Sequence, residues 1–158
     1  TRLTKVTGVQ TCALPICASI ADMFRGGRVD VVAGPALGGV ILAYEVARSL
    51  GVRNIFAERE NGKMTFRRGF HVNPGERVLV VEDVVTTGGS VREVIELLRK
   101  TGAEVAGVGA VVDRSGGSVD FGVPFRPLMC MEARKWEESE CPLCREGIPI
   151  DKPGSRAV

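Results

Sequence analysis

The apolar run Val78-Leu79-Val80-Val81 passes straight into Glu82 and Asp83, then into Val84, Val85, Thr86, Thr87, Gly88, Gly89 and Ser90. A continuous apolar run rich in valine suits a strand covered on both faces, as in a parallel sheet. After the glycines, Val91, Val94, Ile95 and Leu98 recur at helical spacing and stop at Gly102. A strand feeding a helix through a glycine-rich turn is part of a right-handed β-α-β unit, and the chain repeats the pattern. VDVVA (29–33) precedes Gly34, Pro35, Gly38 and Gly39; Val40, Ile41, Tyr44, Ala47 and Arg48 then mark a helix that Gly51 ends. VRNIFA (52–57) and VAGVGAVV (105–112) read as further strands, the two glycines of the latter predicting close approach of backbone or ligand. The expected fold is α/β, with a central, mainly parallel sheet flanked by helices. Ligands in such a fold bind at the carboxyl ends of the strands.

Composition narrows the class. A length of 158 residues suits one domain with its own core. A net charge of +2 argues against a general nucleic-acid-binding surface. No apolar run approaches the roughly 18 residues of a transmembrane helix. Five cysteines, an odd count in a chain of this size, do not suit a secreted disulfide framework. A soluble cytoplasmic protein, with neither nucleic acid nor membrane as partner, is therefore expected. Residues 1–16, TRLTKVTGVQTCALPI, begin without Met and show no helical or strand periodicity. They read as a non-native segment, leaving residues 17–158 as the domain, with an extended tail from about 137. Cys141-x-x-Cys144 in that tail is half of a zinc-ligand pattern, but only Cys130 lies near it in sequence, so no metal is assigned.

The chemistry concentrates at residues 82–90. Two carboxylates at a strand end can accept hydrogen bonds from sugar hydroxyls. Small hydroxylated residues and glycines at a helix start present several backbone N–H groups to one phosphate. No Lys follows the turn, so it is not a P-loop, and no G-x-G-x-x-G occurs there. A sugar phosphate is the ligand that suits both features. GPALGG (34–39), after the first strand, could offer further free amides to phosphate oxygens.

The string VLVVEDVVTTGGS resembles the phosphoribosyl-diphosphate (PRPP) signature of type I phosphoribosyltransferases. A wider stretch, roughly residues 18–156, is similar to the orotate phosphoribosyltransferase family in several separate blocks, from GPALGGVILAYEVARSLGV through VVDRSGG to CPLCREGIPI. The resemblance implies transfer of ribose 5-phosphate from PRPP to N1 of orotate, releasing diphosphate in the presence of Mg²⁺, on the route to UMP. It gives Leu37 and Gly38 to the diphosphate loop, although some relatives have Lys where Gly38 stands. It makes the charged stretch 58–70 a lid that closes over the active site of the neighbouring subunit of a homodimer. In that lid, Arg59 and Lys63 match positions that contact the diphosphate, whereas Glu60 and Thr65 do not. Arg114, after Asp113, matches the residue that grips the orotate carboxylate, and Thr86 also touches orotate. The expected catalytic set is Lys63, Arg59 and Asp83, and the substrate-binding residues run from Glu82 to Ser90. His71 is left outside the site. The family has a further N-terminal helix and hairpin over the orotate pocket, which residues 1–16 do not match. Two other readings are a PRPP-sensing regulator of the same fold and a transferase acting on another base.

Overall fold

The computed structural model describes residues 8–132, 136–137 and 139–148. In chain order the elements are α1 (Gly8–Phe24), β1 (Val31–Pro35), α2 (Gly38–Leu50), β2 (Arg53–Glu60), β3 (Lys63–Phe66), β4 (Arg77–Val85), α3 (Gly89–Lys100), β5 (Glu104–Asp113), β6 (Phe125–Cys130) and α4 (Pro142–Arg145). One sheet has the order β3-β2-β1-β4-β5-β6. All neighbouring pairs are parallel except β2 with β3. β1 sits between β2 and β4, with Val31 opposite both Arg53 and Val78.

The continuous apolar run of β4 has its explanation in the layers. Val78 and Val80 join a core with Val91, Val94, Ile95 and Leu98 of α3, while Leu79 and Val81 turn to the opposite face, against Ile20 and Phe24 of α1 and Val46 of α2. All four strand residues are fully buried, each stabilising the fold by about 1.5–3 kcal/mol as an upper range. The four apolar positions read from the sequence of α3 are its buried face. Gly51 ends α2 in the left-handed conformation, with φ 72°.

The face of α2 differs from the expectation. Its buried residues are Gly39, Leu42, Ala43, Val46 and Ala47, whereas Ile41 and Tyr44 are exposed. The helix start is pressed onto β1 so closely that a Cβ on Gly34 would lie 2.3 Å from the Gly39 carbonyl oxygen. Contact through glycine and alanine sets the helix's roll, and the larger Ile41 and Tyr44 turn outward.

Other expectations change as well. Residues 58–70 are not one loop: β2 continues to Glu60, Asn61 and Gly62 take φ 50° and 79°, and the chain returns antiparallel as β3. Positive φ at both turn residues is the tight hairpin geometry that Asn-Gly favours. Helix α1 starts at Gly8, within the stretch that showed no periodicity, although the packed residues Cys17, Ile20, Ala21 and Phe24 all follow it. This helix is what comes close to the β5 glycines: a Cβ on Gly107 would lie 2.7 Å from Phe24, and one on Gly109 2.7 Å from Ile20. The expectation of a close backbone or ligand is met at Gly107 by backbone, the Pro124 carbonyl oxygen at 2.9 Å, and the other close neighbours are side chains of α1. Strand β6 was not anticipated; at the sheet edge its Pro127 is tolerated. The extended tail lies partly outside the described residues, and within it Pro142–Arg145 forms one helical turn. Among the described residues no helix is long and apolar enough to cross a membrane.

Candidate functional site

Parallel pairing sends β1, β2, β4 and β5 out of the sheet on one side, so the segments that follow them converge. Every residue from Glu82 to Ser90, together with Leu37, Gly38 and Arg59, lines one cleft of about 380 Å³. The acid pair lies in β4 itself, which runs on as far as Val85. Glu82 is buried, and one of its carboxylate oxygens accepts the Asp83 amide at 3.0 Å. Asp83 is exposed and accepts the Val84 amide at 2.7 Å.

Gly38 touches this pair directly. A Cβ there would lie 2.2 Å from an Asp83 carboxylate oxygen. The residue is therefore more than a position without charge, because Asp83 occupies the space a side chain would need. The Ala36–Leu37 peptide beside it is cis, and Leu37 projects at the rim, 81% exposed.

Gly88 begins α3 in the left-handed conformation, φ 74°, and no side chain caps the helix. The first-turn amides and the positive end of the helix dipole thus face the cleft, the arrangement that binds a phosphate. Phe121 and Val119 close in behind Gly88, so that a Cβ there would stand 2.8 and 2.9 Å from them.

Arg59 reaches the cleft from the hairpin. Its guanidinium pairs with Glu93 of α3 at 2.5 Å and donates to the Gly62 carbonyl at 2.9 Å. Lys63 is not brought to the acid pair within this chain. It borders an adjoining hollow with Glu96 and Lys100, which shares Arg59 and Glu93 with the cleft. His71 is exposed, with Nδ1 3.2 Å from the Gly69 carbonyl oxygen, and does not line the cleft.

Arg114 opens onto a second cavity, of about 870 Å³, that meets the first at Thr86 and Thr87. Its amide donates to Val85 at 2.7 Å, tying the end of β5 to the end of β4. Asp113, beneath it, is 2% exposed and accepts the amides of Ser115 at 2.8 Å and Gly117 at 3.2 Å. Burial acts to raise its pKa, but the hydrogen bonds from Ser115 and Gly117 outweigh this and hold the carboxyl below its usual range. Asp113 therefore shapes the loop that carries Arg114.

Sequence reasoning passed over Arg92, which borders the second cavity, and Glu93, which pairs with Arg59. Both could have been found: they follow the phosphate turn by one helical turn, beside the buried Val91 and Val94. Of the cysteines described, none lines the first cleft, and Cys130 borders the second cavity. Cys17 is buried, and burial pushes its thiol up to about 11, with Glu45 adding to the shift. Cys130, Cys141 and Cys144 are free thiols. Among the described residues no three His, Cys, Asp or Glu side chains gather as a metal site.

Residues 16–121 match the phosphoribosyl transferase domain family. An orotate phosphoribosyltransferase of Caldanaerobacter subterraneus subsp. tengcongensis is 64% identical over 139 residues, 88% of this chain and 73% of that protein. One from Thermotoga maritima is 59% identical over 139 residues, covering 88% and 74%. Among solved structures, an adenine phosphoribosyltransferase from Thermoanaerobacter pseudethanolicus has a TM-score of 0.68 at 17% identity, covering 77% of this chain and 82% of that one. The UMP synthase of Leishmania donovani has a TM-score of 0.65 at 24% identity, covering 77% of this chain and 28% of that one. At such identities the structural likeness shows the fold alone.

Proposed function

This chain belongs to the orotate phosphoribosyltransferases, within the phosphoribosyl transferase domain family, and from that premise we propose that it transfers ribose 5-phosphate from PRPP to N1 of orotate. The products are orotidine 5'-phosphate and diphosphate, on the route to UMP. The observation that carries this reading is the meeting of two cavities at Thr86 and Thr87. On one side lie a phosphate turn and an acid pair; on the other lies Arg114. A ribose held at that junction has its 5-phosphate over Thr87–Ser90 and its C1 facing the space into which Arg114 opens.

The reaction breaks the C1–oxygen bond to diphosphate and forms a C1–nitrogen bond to orotate. Positive charge develops on the ribose and negative charge on the leaving group, so the protein acts by position and electrostatics. Glu82 and Asp83 accept hydrogen bonds from the ribose hydroxyls, and Leu37 and Gly38 offer backbone contacts to the diphosphate. Arg114 grips the orotate carboxylate through its planar fork. Arg59, already bordering the cleft, and Lys63 add positive charge at the leaving group. Three carboxylates line the cleft, Glu82, Asp83 and Glu93, of which Glu93 is paired with Arg59; the hard oxygens of the other two fit Mg²⁺ held mainly by substrate oxygens and water. Bound Mg²⁺ supplies fixed positive charge to the departing diphosphate.

We further propose a homodimer in which the hairpin reaches the neighbouring site through Lys63, while Arg59 borders the cleft of its own chain. What supports this reading is that Lys63 does not line the cleft of its own acid pair but borders the adjoining hollow. Mixing Lys63→Ala and Asp83→Ala chains tests it. Each is poor alone, and random reassociation should leave about a quarter of all sites intact. No recovery, with mixed dimers shown to form, would mean that Lys63 acts within its own subunit. The free thiols suit a reducing cytoplasm, the compartment proposed.

Turnover should be followed with PRPP and Mg²⁺, offering orotate, adenine and hypoxanthine in parallel. Orotate alone should be consumed. Consumption of a purine would move the assignment to another base, and binding of PRPP without turnover of any base would favour a regulator.

A further inference from the structure

The loop that follows β5, residues 114–122, carries Arg114 at one end and Phe121 near the other. Its second half is held by Arg92 of α3. The Arg92 guanidinium donates to the Asp120 carbonyl at 2.6 Å and lies over the Phe121 ring, 5.3 Å from its centroid. Phe121 is buried and meets Phe125 of β6 edge to face, with centroids 5.1 Å apart. Phe121 and Val119 are also the side chains that stand within 3 Å of where a Gly88 Cβ would be. The Arg92 amide meanwhile donates to the Gly88 carbonyl at 2.9 Å. The backbone bond belongs to the helix whatever residue stands at 92, whereas the side chain of Arg92 reaches Gly88 only through Asp120 and Phe121. Arg92 and Arg114 border the same cavity.

We propose that Arg92 is a positioning residue that couples the Arg114 loop to the phosphate turn, setting the span between the carboxylate and phosphate ends of a bound nucleotide. The proposal rests on the reaction assigned above and extends it to a residue outside the expected site. A guanidinium held between a carbonyl and a ring face is directional as well as charged. Without it, the loop has lost the donor that ties Asp120 to α3, while the amides of the phosphate turn are intact.

The test compares a ligand that spans both ends with one that occupies only the phosphate turn. Orotidine 5'-phosphate and ribose 5-phosphate are titrated calorimetrically into the wild-type chain, Arg92→Met and Arg92→Lys. Arg92→Met should bind orotidine 5'-phosphate about tenfold more weakly and ribose 5-phosphate less than about twofold more weakly. Arg92→Lys keeps charge and a donor, and should recover part of the loss. Unchanged affinity for orotidine 5'-phosphate in Arg92→Met would overturn the proposal. Equal losses for both ligands would overturn it too, since a general distortion of the turn moves them together. A wild-type chain that binds neither ligand would overturn the assigned reaction, and this role with it.

Discussion

The Glu82–Ser90 segment and the Arg53–Phe66 hairpin both border the cleft, yet different forces hold them. The first is packed from behind: Val85 is 1% exposed, Gly38 lies against Asp83, and Gly88 lies against Phe121 and Val119, while Asp83, Val84, Thr87 and Gly89 are exposed at the cleft. The end of the second is exposed from Arg59 to Lys63. It is tied by charge pairs, Arg59 with Glu93 at 2.5 Å, Arg68 with Glu58 at 3.2 Å and Arg67 with Glu60 at 3.4 Å. Close packing is stiff, because each displaced atom meets another. Surface ion pairs contribute little and are screened by salt. The difference suggests a division of labour: a preorganised cradle for the sugar phosphate, and a basic ribbon that can shift at small cost.

The largest effect should come from adding one carbon to the packed side. Gly38→Ala would make the Asp83 carboxylate swing aside from the added Cβ and out of its place in the cleft, and PRPP affinity in Mg²⁺ should fall about twentyfold, about 1.8 kcal/mol. Calorimetry checks this, and affinity within twofold of wild type would show that Asp83 yields freely. Asp83→Asn keeps the shape and removes the charge, with a tenfold or greater loss expected, about 1.4 kcal/mol. Unchanged binding would remove Asp83 from the ribose site.

Arg114→Lys retains charge but loses the fork. Orotate binding should weaken roughly fivefold while PRPP binding holds. Equal losses for both ligands would point away from the cavity beside Thr86.

A pH series sharpens the comparison on the packed side. The hydrogen bonds that hold the Asp113 carboxyl below its usual range stabilise the fold only while it is ionised. That contribution is complete above the ordinary carboxylate pKa of about 3.9 and fades as pH falls through the lower folded value. Asp113→Asn should lose about 1 kcal/mol in urea denaturation at neutral pH, with the gap to wild type closing in strong acid. A gap that widens in acid would contradict the sign.

The smallest effect on folding belongs to the hairpin. Lys63→Ala should alter stability by no more than about 0.5 kcal/mol while turnover drops. A large fall in melting temperature would erase the contrast between the two sides.

Much of this was legible in the linear chain. The α3 face, the Gly51 cap and the buried run of β4 follow from periodicity and from residues with restricted backbone preferences, both local properties. The place of the cleft followed from the order strand, acid pair, glycine turn, helix. The hairpin was legible too, since Asn61-Gly62 between two extended segments is a strong turn signal, but the surrounding charges read as a loop. Strand β6 carries a proline and exposed residues, and its pairing with β5 supplies what local pattern does not.

What the sequence by itself determined is therefore the type and order of elements, and the residue types offered to a phosphate and a carboxylate. Tertiary structure decided which face of α2 turns inward, what fills the space beside the β5 glycines, and that Gly38 abuts Asp83. It also decided that Arg92 reaches Asp120 and Phe121, whereas Lys63 lies away from the acid pair of its own chain. The reason is physical. Periodicity records which residues can share a face, but contacts between residues far apart in the chain depend on how closely two backbones approach, and here glycine and alanine set that distance.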